Sequence, residues 1–166
     1  MAELAAFEAK LGVSFSDPLR LRQALTHSSY LNENPLEAPE CNERLEFLGD
    51  AVLGLVISEK LYRDLPQADE GEMTKLRAAL VKRDTLARVA AAIGLGDYLY
   101  LGRGEESSGG RRKKANLACA LEAVIAAVFL DQGPAATEDF ILRLFQEELA
   151  HALSQGGTTN YKSRLQ

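Results

Sequence analysis

The sequence predicts an all-α fold. Nearly every apolar segment of the 166-residue chain repeats with the 3.6-residue spacing of a helix, and no run alternates apolar and polar residues as a half-buried strand does. With 46% apolar residues the chain can bury one core, and it is too short for two domains to be expected. We therefore expect one helical domain without an internal repeat.

Caps and breaks place the helices along the chain. Asp17-Pro18 supplies an N-cap and a first-turn proline, Pro66 stops a long helix, Gly94 is a C-cap, and Gly133-Pro134 ends an apolar helix. The predicted helices cover residues 17–26, 42–64, 73–82, 84–93, 115–131 and 137–153, and the predicted irregular segments cover residues 32–41 and 95–110.

Charge is unevenly distributed along the sequence. The net charge of -5 by itself disfavours a nucleic-acid partner, because phosphate neutralisation supplies most non-specific affinity. Residues 73–116 nevertheless contain ten Lys or Arg and four Asp or Glu, a balance of +6 that leaves -11 elsewhere. A basic surface beside an acidic cluster suits a metal-dependent nuclease. The same pattern would arise if positive and negative residues lay on different solvated helix faces by chance.

Cysteine usage and hydropathy favour a cytoplasmic protein. Cys41 and Cys119 lie far apart and form neither a disulfide framework nor a zinc pattern, which fits a reducing compartment. The N-terminus lacks the basic and then hydrophobic order of a secretory signal. The apolar stretch from Leu117 to Leu130 contains Glu122 and is too short to span a bilayer, so we expect no membrane role.

Three carboxylates share one face of the helix predicted at residues 42–64. Glu43, Glu46 and Asp50 fall within an arc of roughly 60°. Apolar Leu53 and Ile57 continue this stripe, so it does not run on as an ordinary solvated face. Converging carboxylates repel one another unless a hard cation such as Mg²⁺ neutralises them. An acidic surface face with salt bridges to the basic helices is the alternative.

One further acid, Glu122, lies in the middle of the apolar helix predicted at residues 115–131. A buried, ionised carboxylate without a partner is costly, so this residue should be protonated, ion-paired or bound to a metal. Against the first helix it would complete a carboxylate site from two helices. A salt bridge to a core arginine such as Arg44 or Arg77 remains the alternative.

Several motifs together resemble bacterial ribonuclease III. The most specific is the nine-residue Asn42-Glu43-Arg44-Leu45-Glu46-Phe47-Leu48-Gly49-Asp50. The others follow in the family's order: residues 25–29, 69–73, 75–78, the Gly-rich loop 102–112 and residues 117–123. The resemblance covers most of the chain. It implies the family's helical nuclease domain over residues 1–155. It also implies, at residues 156–166, the start of a linker to a C-terminal double-stranded RNA-binding domain, so we interpret the chain as an excised nuclease domain.

The resemblance also implies roles for particular residues. Glu46, Asp50 and Glu122 match metal ligands, and Asp50 and Glu122 would also be central to catalysis. Glu43 and Glu70 match acidic positions implicated in the reaction or in substrate contact. Phe47 matches an aromatic that enters a socket on a second subunit, although its spacing alone would favour core packing, and His27 is assigned a structural role. The candidates for phosphate contact are Lys75, Arg77, Lys82, Arg111, Arg112, Lys113 and Lys114.

The activity implied is phosphodiester hydrolysis in double-stranded RNA by a homodimer. One or two Mg²⁺ ions, with Mn²⁺ as a substitute, would serve both sites, and the products would carry 5′ phosphates and short 3′ overhangs. The substrates would be precursors of ribosomal and messenger RNA. The A-form duplex would be recognised by its shape and backbone.

Cys119 departs from the family's pattern, because an aspartate that binds metal usually occupies this position. A thiol is a soft ligand that Mg²⁺ does not favour. Three outcomes follow: water fills the vacancy and metal binds more weakly, preference shifts to Mn²⁺ or Zn²⁺, or catalysis is lost. We favour the first. Two competing functions stay open, a non-catalytic RNA-binding or assembly module and a helical hydrolase of small phosphate compounds.

Overall fold

The computed structural model describes the backbone of residues 3–165 and the side chains of residues 3–155. Over this range it has the predicted fold class: it contains helices, two 3₁₀ turns and one isolated bridge between Thr26 and Tyr100, and no strand. The helices are α1 (Leu4–Leu11), α2 (Pro18–Ala24), α3 (Ser28–Glu33), α4 (Glu43–Asp64), α5 (Glu70–Val81), α6 (Arg83–Ala92), α7 (Arg103–Ser107), α8 (Lys114–Gln132), α9 (Pro134–Leu144) and α10 (Gln146–Leu165).

Helix α8 forms the centre of the core. Every residue from Leu121 to Val128 is buried, because α2, α4, α6 and α9 all pack against this helix. A helix covered on all sides needs no polar face, which explains why its sequence is apolar all round. Helix α8 is longer than the apolar stretch predicted from the sequence, and by length and composition it could cross a bilayer. However, 61% of its apolar segment is buried inside the fold.

Helix α4 packs against α8 through the side that carries its carboxylates. Leu53 and Ile57, which continue the carboxylate stripe, are fully buried. On the other side, Leu55 is 71% exposed and Phe47 is 83% exposed. The apolar continuation of the stripe therefore faces the core helix, whereas Glu43 and Asp50 are exposed and Glu46 is half-buried, so the acidic part of the stripe is open to solvent at least in part.

Most helix ends lie where caps were predicted. The carboxylate of Asp17 accepts the N–H of Leu19 at the start of α2, and Gly94 adopts φ 66° just after α6. Helix α5 begins three residues earlier than predicted, because the Asp69 carboxylate accepts the N–H of Glu72 at 2.8 Å.

Two other predictions of local structure were wrong, and two helices were missed. Residues 95–110 contain the turn Leu95–Tyr98 and helix α7 rather than only irregular structure. The helix predicted at residues 137–153 is two helices that meet at the buried Phe145. Helices α1 and α3 were not predicted. The predicted linker at residues 156–166 falls outside the residues whose side chains are described.

The contact between α4 and α8 leaves no room for a side chain at Gly49. A Cβ at this residue would stand 1.7 Å from the carbonyl oxygen of Glu122, and backbone cannot move aside as a flexible side chain can. Gly54 lies on the same helix and has no atom within 4 Å of its Cβ position.

These two glycines provide a matched test of the helix contact. We expect Gly49→Ala to lower the free energy of unfolding by about 3 kcal/mol or more, since the helices must separate. Gly54→Ala should raise it by about 0.5–1 kcal/mol, because alanine favours the helix. Urea unfolding measures both, and equal effects at the two positions would contradict the close contact.

Candidate active site

The candidate site lies where α4 and α8 touch. Glu46 and Asp50 flank Gly49 on α4, and Glu122 lies on α8 at the point of contact. Glu46 lies three residues before Gly49 and four before Asp50, so it shares a helix face with each of them, and Gly49 is the residue that touches α8. Three of the predicted metal ligands are thus brought together by one backbone contact.

Glu122 is a buried acid that faces two other carboxylates. Its side chain lies in the apolar body of α8, and the residue is 8% exposed. Burial raises its pKa from 4.5 to about 8, and a hydrogen bond with Asp50 and the negative charges of Asp50 and Glu46 add to the increase. In the metal-free protein at neutral pH, Glu122 therefore stays mostly protonated.

Cys119 lies one turn before Glu122 on α8 and is half-buried. Burial raises the pKa of its thiol from 9.0 to about 12, and a hydrogen bond with Glu46 and the charges of Glu46 and Glu122 act in the same direction. The positive charge of Arg83 opposes this shift. Cys119 is therefore a neutral thiol at physiological pH, not a thiolate.

The alternative ion pairs for these acids are absent. Arg44 binds Glu40 at 2.8 Å, and Arg77 donates to the Ser58 hydroxyl at 3.1 Å. Among residues 3–155, neither arginine forms an ion pair with Glu122. Over the same range, the predicted salt bridges from Glu43, Glu46 and Asp50 to the basic helices are also missing. Of the roles considered for Glu122, protonation and metal binding remain.

The carboxylates are the type of ligand that a hard divalent cation prefers. Glu46, Asp50 and Glu122 supply the oxygen ligands that Mg²⁺ prefers, and after burial and a hydrogen-bonding effect of Asp50, the negative charges of Asp50 and Glu46 raise the pKa of Glu122 further. Among the described residues, no group of three or more His, Cys, Asp or Glu is yet arranged closely enough to hold a metal ion. Binding an ion therefore requires these side chains to turn towards a common point.

Two predicted acids lie away from this cluster within the protomer. Glu43 is exposed and lines a cleft beside Arg20 and Phe47. Glu70 is exposed at the start of α5, where it lines a second cleft with Ser58. Ser58 follows Asp50 by eight residues, or about 12 Å along α4. Neither Glu43 nor Glu70 therefore touches the site of Glu122 as the protomer stands.

Phe47 projects from α4 into solvent rather than into the core. The residue is 83% exposed, so core packing is not its role within the protomer. It lies on the rim of a cleft of about 670 Å³, which Leu48 and the 46% exposed Leu130 also line. An exposed aromatic beside an apolar cleft is typical of a protein contact surface.

The predicted phosphate contacts fall into two groups. Arg111 donates to the carbonyls of Gly96 and Leu99 and pairs with Glu106, so it fastens a loop rather than offering a free cation. Lys113 and Lys114 are ion-paired, with Glu105 at 3.0 Å and Asp84 at 3.3 Å respectively. The remaining members of the set are exposed, and they are Lys75, Arg77, Lys82 and Arg112.

His27 has the structural role expected of it. Its Nδ1 accepts the N–H of Ser29 at 3.1 Å, which caps α3. The sequence reasoning missed two contributors to the site, Gly49 and Arg83. A glycine inside a long helix was the available signal for Gly49, whereas nothing in sequence alone placed Arg83 beside α8.

Comparisons with known proteins identify the family of this chain. A family model described as Ribonuclease-III-like matches residues 17–149. Ribonuclease 3 of Dehalococcoides mccartyi (strain CBDB1) is 51% identical over 166 residues, which is all of this chain and 70% of that protein. Ribonuclease 3 of Roseiflexus sp. (strain RS-1) is 51% identical over 160 residues, which is 95% of this chain and 68% of that protein.

The fold comparison gives the same result. The nuclease domain of a Campylobacter jejuni ribonuclease III, in which a region involved in dimer formation is structurally flexible, superposes with a TM-score of 0.81. It is 39% identical and covers 88% of this chain and 98% of its own. The chain belongs to the ribonuclease III family, and its described part has the fold of that family's nuclease domain.

The raised pKa of Glu122 predicts a pH-dependent stability in the absence of metal. Below pH 4.5 this acid is protonated in both the folded and the unfolded protein. Between about 4.5 and 8 the unfolded chain ionises first, so the free energy of unfolding falls as pH rises. Glu122→Gln keeps the neutral form. We expect it to stabilise the chelator-treated protein by about 2–4 kcal/mol above pH 8, and not at pH 4.

Urea unfolding at several pH values measures this difference. Glu43→Gln is the matched control, because Glu43 is exposed in the first turn of α4. Its charge favours the helix dipole, so the control should lose about 0.5 kcal/mol or less at high pH. A stabilisation by Glu122→Gln that is the same at pH 4 and pH 8.5 would show that shape rather than ionisation is responsible.

Proposed function

We propose that this chain is a divalent-metal-dependent endoribonuclease that hydrolyses phosphodiester bonds of double-stranded RNA as a homodimer. Membership of the ribonuclease III family and the nuclease-domain fold identify it as an endoribonuclease. The observation that carries the metal-dependent part is the buried Glu122, which faces Asp50 and Glu46 and has no cationic partner among the described residues.

The metal would be held by Glu46, Asp50 and Glu122. Mg²⁺ is the cation that suits these ligands best, and Mn²⁺ is a plausible substitute. When bound, such an ion supplies activation of water and stabilisation of negative charge on the phosphate and the leaving oxygen.

The first contribution of the protein's own residues is to hold a proton at Glu122 and release it when a cation binds. Glu122 keeps its proton at neutral pH when no cation is present, and a carboxyl must lose its proton before it can bind a metal. Loading therefore releases a proton from the Asp50–Glu122 pair. Glu122 is buried in the rigid body of α8, which keeps its carboxylate in place while Asp50 and Glu46, partly open to solvent, adjust.

The RNA would be bound through its backbone. Lys82 and Arg112 are exposed beside the N-termini of α6 and α8, and Lys75 and Arg77 are exposed on α5. Cations of this kind neutralise phosphates without reading bases, which suits recognition of an A-form duplex by shape. The expected substrates are precursors of ribosomal and messenger RNA in the cytoplasm, cut to leave 5′ phosphates and short 3′ overhangs.

The homodimer is supported by the exposed Phe47 and the cleft beside it. In a two-fold dimer the same surface serves both subunits, so Phe47 of each protomer would enter the cleft of the other. Because Phe47 and Glu46 are neighbours on α4, the interface would lie next to both carboxylate sites. Two sites that face one duplex account for cuts in opposite strands.

Cys119 supports a second candidate, an RNA-binding or assembly module in which catalysis is weak or absent. A neutral thiol replaces a hard ligand of the family's site, so the cation would be held by fewer carboxylates. Three carboxylates still meet at the α4–α8 contact, and for this reason we favour the enzyme.

Removing one carboxylate should separate the two candidates. We expect Asp50→Asn to slow Mg²⁺-dependent cleavage of a duplex RNA by about 100-fold or more, because it removes a metal ligand. Asp64→Asn is the matched control on the same helix, since among the described side chains Asp64 pairs only with Lys60 at the surface. It should leave the rate within about twofold.

Single-turnover cleavage, followed over a range of Mg²⁺ concentrations, gives the rates. Duplex RNA that is bound but never cut by the wild-type protein would favour the module. Cleavage of a nucleotide panel in preference to duplex RNA would favour the small-molecule hydrolase.

A second prediction concerns the dimer. Phe47→Ala should weaken self-association about tenfold or more, because an aromatic anchor leaves its socket. Leu36→Ala is the control, since Leu36 is fully exposed in the loop before α4 and does not line the cleft. Sedimentation equilibrium measures both dissociation constants. Equal effects of the two substitutions would place the interface elsewhere.

A further inference from the structure

A groove crosses the surface of the domain where α1, α6, α9 and α10 meet. It consists of two adjoining clefts of about 300 Å³ and 320 Å³, and Ile93, Arg143 and Leu144 line both of them. Ile93 follows the C-terminal end of α6, whereas Lys82 precedes its N-terminal end, so about 16 Å of helix separates the groove from the proposed RNA contact at Lys82. The proposed nuclease site therefore does not use this surface.

The lining of the groove is largely apolar. Leu11 and Phe140, which are buried, line its base, and Ile93 and Leu144 are half-buried. Part of the surface of Ile93 and Leu144 thus remains in contact with water, and covering it with another apolar group is favourable. The lining favours a partner that brings apolar side chains.

Two cations without acidic partners border the groove on the side of α1. Arg143 donates through Nη1 to the carbonyl of Leu11 at 2.8 Å, and Lys10 Nζ lies 5.4 Å from the centre of the Tyr98 ring. Among the side chains of residues 3–155, neither cation forms an ion pair. These contacts position both side chains and leave further N–H donors of each for an anion.

Two glycines leave the space that these cations occupy. A Cβ at Gly12 would stand 2.4 Å from Arg143 Nη1, and a Cβ at Gly94 would stand 3.1 Å from Lys10 Nζ. Both glycines have left-handed backbones, with φ of 69° and 66°, and they follow the C-terminal ends of α1 and α6. The carbonyls at these helix ends attract cations as well, so a test of binding needs a measurement other than stability.

The end of the groove beside α10 has a different charge pattern. Arg88 and Glu148 form two hydrogen bonds of 2.8 and 3.0 Å that join α6 to α10, so their charges offset each other. Glu147 also lines this end and is exposed. A polyanion such as RNA would be repelled by Glu147. A partner with one acidic group near α1 and apolar groups beyond it matches both the charges and the lining.

We propose that this groove binds a short acidic peptide segment of a partner protein, whose carboxylate lies between Lys10 and Arg143 and whose apolar side chains cover Ile93 and Leu144. The carboxylate accepts charge-assisted hydrogen bonds from the two cations. The apolar side chains remove the half-buried part of the lining from water. The inference is independent of metal binding and RNA cleavage, because none of the three proposed metal ligands lines the groove.

Selection from a phage-displayed library of random peptides tests whether the whole chain binds peptides of this chemistry. We expect the selected sequences to place an acidic residue beside large apolar residues. Selected sequences that are basic, or no enrichment over the bare support, would overturn the proposal.

Fluorescence polarisation of a selected peptide tests whether it occupies the groove. Lys10→Met removes one cation but keeps the length of the side chain, and it should weaken binding about tenfold. Leu144→Ala should weaken binding by a similar factor of about ten, because it removes apolar contact. Lys60→Met is the matched control, since it removes the same charge from α4, where Lys60 pairs with Asp64. It should leave the Kd within about twofold, and equal effects of the two lysine substitutions would refute the proposed contact.

A second peptide, with its acidic residue changed to the corresponding amide, separates direct contact from damage to the fold. Against this peptide Lys10→Met should have no further effect, because the charge contact is already absent. The same loss of affinity with both peptides would show that the substitution acts through the fold, and the proposed contact would fall.

Competition with a duplex RNA, in buffer without Mg²⁺, tests the other class of occupant. The RNA should leave the peptide bound, because the proposed phosphate contacts lie at the opposite end of α6. Displacement of the peptide by the RNA would assign the groove to the nucleic-acid surface and would overturn the proposal.

Discussion

The backbone contact between Gly49 and Glu122 is the constraint on which the rest of this structure depends. Only a residue without a side chain allows α4 to approach the carbonyl of Glu122 so closely. This approach places Glu46 and Asp50 against a helix that is otherwise apolar on every side.

The contact also explains why an acid is tolerated in the core. Glu122 is buried among residues that offer it no cation, and its ionisation is suppressed by burial and by the carboxylates opposite. A fold selected only for stability would place an apolar residue or an amide at this position. The presence of this destabilising buried acid is therefore explained by function, because Glu122 becomes an effective ligand when a cation takes the place of its proton.

Sequence reasoning reached the fold class, the central helix and the carboxylate cluster because each depends on local spacing. The buried helix α8 and the stripe of Glu46 and Asp50 can be read from one periodic pattern. The break at Phe145 could not, since no proline or glycine marks it and packing of the aromatic ring into the core decides the backbone there. The partners of Arg111 could not be predicted for a similar reason: its charge predicted a phosphate contact, and the fold adds hydrogen bonds from its guanidinium to the carbonyls of residues 96 and 99.

The Gly-rich loop before α8 is fastened at its N-terminal end by residues distant in sequence. Ser29 accepts the N–H of Gly102, and the Glu33 carboxylate accepts the N–H of Arg103 at the start of α7, across about seventy residues of chain. The segment before α4 thus holds the start of the loop that leads into α8. A fragment that began at α4 would retain every acid of the site and lose the brace that orders the loop beside it, so the catalytic half of this domain is not a separable unit.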